Sequence, residues 1–297
     1  FAHHLLAYAE MLERDKRRFE ECYHRTNILP LGSGALAGVP YPIDREFVAG
    51  ELGFSSISSN SMDAVSDRDF VIDYISAAAI IAMHISRLAE ELIIWTTEEF
   101  SFVALPVEYT TGSSIMPQKR NPDFAEISRG KSGRIYGHLM SILTVMKSLP
   151  LTYNRDLQED KESFFDTEDT LLGTLEVFSG MVSGLTVNRH LTEKAAEGGL
   201  SLATDVADYL VAKGVPFRQA HSIVSQLSDY AIENKKTFGE FTLSEYKRFS
   251  ELFAEDVMNI NLQNSVESRD VFGGTAPSRV SSALVDMRNR VEGYSFE

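Results

Sequence analysis

The chain has 297 residues, of which 43% are hydrophobic and 24% are charged, a composition that is typical of a globular protein and excludes a disordered one. Its formal net charge of -15 at pH 7 would repel a phosphate backbone, so we expect no nucleic-acid binding. The only cysteine, Cys22, allows no intrachain disulfide and is typical of a cytoplasmic protein.

The sequence begins directly with a helical pattern that no capping residue precedes. We therefore expect the printed sequence to start inside a longer protein, and we expect no signal peptide. Four stretches repeat mostly apolar residues at steps of three and four, which is typical of long packed helices. The repeating positions are Phe1, Leu5, Tyr8, Leu12 and Phe19; Val71, Ile75, Ala78, Ala82, Ile85, Ala89 and Leu92; Ile135, Leu139, Ile142, Met146 and Leu149; and Phe164, Glu168, Leu171, Leu175, Phe178, Val182 and Leu185.

The most apolar part of the chain is residues 74–95, within the second of these stretches. Three charged residues and a histidine interrupt it, namely His84, Arg87, Glu90 and Glu91, so we expect it to be buried in protein and not to span a membrane. Because this helix is apolar on several faces, one chain supplies too few neighbours to cover it. The pattern therefore favours an oligomer.

Four long helical patterns and almost no alternation of period two predict an all-α fold built as a long-helix bundle. The composition changes near Gly198–Gly199, after which the predicted helices are shorter and better capped. Thr242 with Glu245, for example, matches a capping box. We predict two domains, a central helical bundle domain over residues 1–197 and a C-terminal helical domain over residues 198–297.

The run GSSIMPQKRNP, residues 112–122, separates two helical patterns. Its small residues leave the backbone free to move, and Pro122 with Asp123 is predicted to open a helix, with the proline in the first turn. Free N–H groups at that helix start, the ammonium of Lys119 and the amide of Asn121 predict an anion site. A serine on such a loop suits acid–base chemistry on a carboxylate substrate. On the residues alone, an ordinary solvated loop is the alternative.

The same run matches every fixed position of the G-S-x-x-M-x-x-K-x-N signature of the L-aspartase/fumarase superfamily. Three further stretches, PLGSGALAG, SNSMDAVSDRDF and TYNRDLQEDKE, resemble the argininosuccinate lyase branch of that superfamily. The resemblance extends over essentially the whole chain. It implies a helix bundle of the L-aspartase/fumarase type with a smaller helical C-terminal domain. It also implies a cytoplasmic homotetramer whose active sites are shared between subunits, with no cofactor and no metal.

The resemblance further implies a reaction, the anti elimination of argininosuccinate to arginine and fumarate in arginine biosynthesis. Ser113 is then an acid–base serine, which we favour as the base, and Lys119 holds the carboxylate that becomes doubly charged. Glu126 is implied to pair with a catalytic histidine of another subunit. The residues implied to bind the substrate are Asn121, Tyr153, Gln158 and Lys161.

The catalytic histidine of this family lies in a T-H-x-Q-x-A-Q-P segment, which the printed residues do not contain. His3 and His4 are not its equivalents, and His84 and His138 are more typical of packed helical residues. Because elimination needs two proton-transfer groups, we expect the 297 residues alone to be almost inactive. Two alternatives are another fumarate-releasing lyase, such as adenylosuccinate lyase, and a non-catalytic structural relative of the δ-crystallin kind. TYNRDLQEDKE argues against the first, and the intact signature argues against the second.

Overall fold

The computed structural model of the chain describes residues 1–197 and 200–295. Twelve α-helices account for most of these residues, and the described strands are only two residues long. The predicted all-α fold is therefore confirmed.

Two compact units make up the described residues. The first is Ala7–Val187, and the second begins at Asn188 and includes Phe1–Leu6. Each unit has its own cluster of buried hydrophobic side chains. The domain boundary predicted at Gly198–Gly199 lies outside the described residues and stays a prediction.

Residues 1–187 carry six helices and six short strands. They are α1 (Ala2–Thr26), β1 (Ile28–Leu29), α2 (Arg45–Leu52), β2 (Ser56–Ile57), α3 (Ser61–Ser66), α4 (Asp69–Trp95), β3 (Val103–Ala104), β4 (Thr111–Gly112), β5 (Arg120–Asn121), α5 (Asp123–Met146), α6 (Glu159–Ser183) and β6 (Thr186–Val187). β1 and β2 pair in parallel, whereas β3 with β6 and β4 with β5 pair antiparallel. The long helices α4, α5 and α6 pack against one another and form the bundle.

Helix α4 has the most buried residues of the three bundle helices, and its predicted apolar face is confirmed. All seven repeating residues from Val71 to Leu92 are buried, and Ala77, Ile81 and Leu88 are buried on other faces. By length and composition alone α4 could cross a membrane, a test that the buried core helix of a soluble protein also meets. Its burial against α5 and α6 accounts for its apolar composition.

The predicted apolar face of α1 is wrong at several positions. Phe1 and Leu12 are 45% and 42% exposed, whereas Asp15 is completely buried. The carboxylate of Asp15 lies 2.6 Å from Nδ1 of His84 on α4 and 3.0 Å from Nη1 of Arg18. A carboxylate can be buried when it is paired in this way. The repeat of apolar residues could not reveal a buried face that is partly charged.

Helix α6 also turns a more polar face to the bundle than its apolar repeat predicted. Leu171 and Phe178 of the predicted positions are buried, and the rest of the buried face is largely made of small hydroxyl residues. The buried residues are Asp160, Ser163, Thr167, Thr170, Leu171, Thr174, Phe178 and Met181. Thr167 and Thr174 donate hydrogen bonds of 2.7 and 2.6 Å to carbonyl oxygens one turn earlier. Their hydroxyls are therefore satisfied without a partner on another helix.

The helices after residue 188 have between 5 and 18 residues and pack around a core of aliphatic and aromatic side chains. They are α7 (Arg189–Glu197), α8 (Ala203–Ala212), α9 (Phe217–Asn234), α10 (Leu243–Lys247), α11 (Leu262–Glu267) and α12 (Pro277–Glu292). The predicted capping box is confirmed, because the backbone N–H of Thr242 donates to Glu245 at 2.8 Å and the Thr242 hydroxyl accepts from the backbone N–H of Glu245. Hydrogen bonds from Lys236 and then from Thr242 lower the pKa of Glu245 to about 2.

Candidate active site

The GSSIMPQKRNP run folds as a β-hairpin that leads into α5. β4 and β5 pair so that Thr111 faces Asn121 and Gly112 faces Arg120. Beyond this pair, the backbone N–H of Ser113 donates to the carbonyl oxygen of Lys119 at 3.4 Å. The structure therefore brings Ser113, Lys119 and Asn121 together on one hairpin. It places Glu126 in the first turn of the helix that follows.

The hydroxyl of Ser113 is held by the tip of its own loop. Its Oγ accepts hydrogen bonds from the backbone N–H groups of Ile115, at 3.2 Å, and Met116, at 3.0 Å. Two N–H donors stabilise an oxygen more strongly when it carries negative charge, so this arrangement would support a negative charge on the Ser113 oxygen. Ser113 is half-buried, whereas its neighbour Ser114 is exposed.

The other predicted groups, on the hairpin and at the start of α5, are at least partly exposed. Lys119 and Glu126 are exposed, and Asn121 is half-buried. Among the described residues, none of these three side chains makes a hydrogen bond or an ion pair within the chain. An ammonium, an amide and a carboxylate are therefore available on the hairpin and at the helix start that follows it.

The start of α5 differs from its prediction. The helix begins at Asp123, and Pro122 occupies the cap position before it instead of the first turn. The carboxylate of Asp123 accepts a hydrogen bond from the hydroxyl of Thr111, which ties the base of the hairpin to the helix. Because a carboxylate already lies in the first turn, the anion site expected here depends on the Lys119 ammonium more than on the helix start.

The segment before the hairpin is anchored on α6, which sequence reasoning missed. The ring of Tyr109 packs edge-on against Phe124, with ring centroids 5.7 Å apart. Its hydroxyl also lies so close to Gly180 that a Cβ there would overlap it, with Cζ of Tyr109 only 2.6 Å away. Pro106 approaches Gly184 in the same way. No local pattern reveals a glycine that accommodates an aromatic ring from a distant loop.

Gly180→Ala is therefore expected to destabilise the chain by about 1–3 kcal/mol, because the new methyl group must displace Tyr109. Gly173→Ala on the same helix is the matched control, since a Cβ at Gly173 meets no atom within 4 Å. Gly173→Ala should raise the free energy of unfolding, by less than about 1 kcal/mol, because alanine favours the helix more than glycine does. Urea unfolding of both variants measures the difference, and an equal effect of the two would contradict the described packing.

A second group of predicted residues surrounds the start of α6. The amide of Gln158 donates to the hydroxyl of Tyr153. The ammonium of Lys161 lies 3.1 Å from Oδ1 of Asp160. Within the part of the chain that the structure describes, no hydrogen bond or ion pair joins this group to the hairpin. The sequence-predicted residues therefore form two clusters, which we call the hairpin cluster and the α6 cluster.

The α6 cluster includes two residues that sequence reasoning did not single out. Nε of Arg68 donates to Oδ2 of Asp160 at 2.5 Å, and both side chains are largely buried. Arg68 belongs to SNSMDAVSDRDF and Asp160 to TYNRDLQEDKE, so the pair joins two of the stretches that carry the family resemblance. The sequence offered one indication of this pair, namely that Arg68 and Asp160 both lie in stretches that carry the family resemblance.

His84 and His138 each pair with a carboxylate within the chain. His84 is buried against Asp15, and Nε2 of His138 lies 2.5 Å from a carboxylate oxygen of Asp166. Burial opposes ionisation of Asp166, but hydrogen bonds from Arg134 and His138 outweigh it and lower the pKa of that carboxyl. Among the described residues, no group of three or more His, Cys, Asp or Glu side chains could hold a metal ion.

Comparisons with known proteins agree with this fold. Residues 1–137 match a family model described as lyase, and residues 200–267 match one described as argininosuccinate lyase C-terminal. An argininosuccinate lyase of Dehalococcoides mccartyi is 57% identical over 283 residues, which are 95% of this chain and 61% of that relative. The chain thus spans less than two thirds of the length of this relative.

Solved structures give the same result. The crystal structure of EDDS lyase in complex with formate superposes with a TM-score of 0.89 at 28% identity, over 98% of this chain and 60% of that one. A variant of EDDS lyase with bound fumarate superposes with a TM-score of 0.88 at 28% identity, over the same shares. The helical bundle of the chain is thus the bundle fold of these lyases. Within that class, the chain carries both matched domains and is similar to argininosuccinate lyases along 95% of its length.

Proposed function

We propose that the chain provides the hairpin cluster and the α6 cluster of an argininosuccinate lyase, which converts argininosuccinate to arginine and fumarate in arginine biosynthesis. The observation that carries this proposal is the Ser113 hydroxyl, which accepts two backbone N–H groups on the hairpin that also presents Lys119 and Asn121. The identity to curated argininosuccinate lyases supports this substrate over that of another fumarate-releasing lyase.

The proposed reaction requires a base, an acid and a cation. Deprotonated Ser113 takes the proton from the carbon beside a carboxylate of the substrate. The carbon–nitrogen bond then breaks, and the guanidinium nitrogen of arginine leaves with a proton from the acid. The intermediate state places two negative charges on the carboxylate, which Lys119 is proposed to stabilise. The N–H groups of Ile115 and Met116 support the deprotonated hydroxyl.

The acid is proposed to be a histidine of the T-H-x-Q-x-A-Q-P segment, which these 297 residues do not contain. Glu126 is proposed to pair with it from another subunit, and its exposed and unpaired carboxylate is consistent with that role. Asn121, Tyr153, Gln158 and Lys161 are proposed to bind the substrate. Lys161 is well suited to a carboxylate, because it carries a positive charge on a side chain that is about half exposed.

We also propose a homotetramer in the cytoplasm. Large apolar side chains are exposed on the bundle helices, including Ile127 and Met140 on α5 and Phe165 and Leu172 on α6. A monomer would leave these side chains in water, whereas association through the bundle buries them. Light scattering of the purified chain measures the mass. A monomer at micromolar concentration would contradict this part of the proposal.

A substrate comparison tests the proposed function. The assay uses the chain extended at its N-terminus by the region of the Dehalococcoides mccartyi relative that the chain does not match, here called the extended chain. We expect its kcat/KM for argininosuccinate to exceed that for adenylosuccinate or malate by at least ~10³. A site built to hydrogen-bond one substrate rejects another that leaves its polar groups without partners. Comparable values for the other substrates would contradict the assignment.

The hairpin tip is expected to close over the substrate, as a lid that excludes water. Ile115 at the tip is 86% exposed, so little packing holds it in place without a ligand. In the extended chain, backbone amides of residues 113–119 should exchange with solvent rapidly without ligand and at least ~10-fold more slowly with bound fumarate. Hydrogen exchange measures this change, and residues 130–145 of α5 serve as the internal control. Equal protection in both states would contradict the lid.

A further inference from the structure

Arg68 and Asp160 form a largely buried ion pair directly beside Lys161. The side chains of Arg68 and Asp160 are 15% and 7% exposed, and Nε lies 2.5 Å from Oδ2. Nη1 of Arg68 also donates to the carbonyl oxygen of Asp67 at 2.5 Å. The guanidinium is therefore fixed at two points, and one carboxylate oxygen of Asp160 is fixed with it.

The second oxygen of Asp160 is directed at Lys161. Oδ1 lies 3.1 Å from the Lys161 ammonium, whose side chain is 54% exposed. Because Asp160 is buried on α6 and its Oδ2 is held by Arg68, the carboxylate has little room to rotate, and Oδ1 stays directed at Lys161. An ammonium has three N–H donors, so a bond to Oδ1 orients Lys161 and leaves two donors for a ligand. A long lysine side chain without such a contact would sample many rotamers.

We propose that Arg68 is a positioning residue, which acts through Asp160 to hold the ammonium of Lys161 where it binds a carboxylate of the substrate. The identity of that substrate rests on the proposed function. The link from Arg68 to Lys161 rests only on the geometry. The chemistry of the hairpin assigns no role to SNSMDAVSDRDF. The proposal gives this stretch one, since Arg68 belongs to it and acts on Lys161 in TYNRDLQEDKE.

Steady-state kinetics of the extended chain test the proposal. Arg68→Gln is expected to raise KM about 10-fold with kcat within about 3-fold, because a substrate-binding ammonium acts equally in the ground state and the transition state. Asp160→Asn keeps the shape of the side chain and should raise KM similarly. It serves as the second variant if Arg68→Gln does not fold. Arg25→Gln is the matched control, because it breaks an exposed ion pair of 2.6 Å with Asp73 on α4.

A double-mutant comparison separates positioning from stability. If Arg68 acts through Lys161, Arg68→Gln should raise KM no further in a Lys161→Ala background. A lower melting temperature with unchanged KM in Arg68→Gln and Asp160→Asn would overturn the proposal, and so would fully additive effects on KM. Unchanged KM in Lys161→Ala alone would instead remove Lys161 from the substrate site.

A readout without activity tests the same link in the 297-residue chain. The lysines are labelled with ¹³C-methyl groups, which keep their positive charge, and are observed by NMR. The resonance of Lys161 is identified because it is missing in Lys161→Arg. We expect this resonance to shift in Asp160→Asn and Arg68→Gln and to remain unchanged in Arg25→Gln. An unchanged resonance in the first two variants would overturn the proposal. If the extended chain does not act on argininosuccinate, the proposed function fails, whereas this measurement still decides the link.

Discussion

Ser113→Ala in the extended chain is expected to lower kcat on argininosuccinate by at least ~10², with KM within about 3-fold of the parent value. The hydroxyl accepts N–H groups from Ile115 and Met116, an arrangement that stabilises the serine mainly when it is charged. Removing it therefore removes proton transfer and leaves the binding groups of the site in place. Steady-state kinetics followed by fumarate absorbance measure both constants.

Ser114→Ala is the matched control for this prediction. Ser114 is the adjacent serine, but it is exposed and no described hydrogen bond involves its hydroxyl. Its substitution should leave kcat within about 3-fold of the parent value. Near-normal turnover of Ser113→Ala would exclude Ser113 from the mechanism, and an equal loss in both variants would indicate damage to the loop instead of loss of a base.

Asp15→Ala is expected to lower the free energy of unfolding by about 3 kcal/mol, because the buried carboxylate is the hydrogen-bond partner of His84 and the ion-pair partner of Arg18. Asp15 is completely buried, and its carboxylate holds His84 of α4 at 2.6 Å. The substitution leaves His84 in the interior without its partner and opens a small cavity. Urea unfolding with an unchanged slope measures this difference.

The control for Asp15→Ala is Glu21→Ala on the same helix. Glu21 lies 3.8 Å from Arg25 in an exposed ion pair, and such pairs contribute about 0–1 kcal/mol. We expect a difference of at least ~2 kcal/mol between the two variants. A small effect of Asp15→Ala would show that the charged contact between α1 and α4 contributes little to the fold.

Predicting the fold from the sequence worked best where burial is apolar. Every repeating position of α4 is buried, because a helix surrounded by neighbours has apolar residues on each of its faces. Prediction was weaker for α1 and α6, whose buried faces contain Asp15 and the hydroxyls of Thr167 and Thr174. Those groups are buried through ion pairs and hydrogen bonds, and a repeat of apolar residues does not record such partners.

The hairpin cluster followed from one contiguous run of residues, so its members could be named from the sequence. The hairpin itself could not be predicted, because β4 and β5 are two residues long and show no alternation. The ion pair of Arg68 with Asp160 joins residues that are 92 positions apart, and the contact of Tyr109 with Gly180 is also distant in sequence. Such contacts depend on how the helices pack and have no local pattern.

The most direct test of the central claim is fumarate release from argininosuccinate, followed by ultraviolet absorbance. Three samples are compared, namely the 297 residues alone, the same residues mixed with a separately made N-terminal region of the Dehalococcoides mccartyi relative, and that mixture with Ser113→Ala. Because elimination needs two proton-transfer groups, we predict almost no release in the first sample, clear release in the second and at least ~10² less in the third. Substantial turnover by the 297 residues alone, or equal turnover in the second and third samples, would contradict the account.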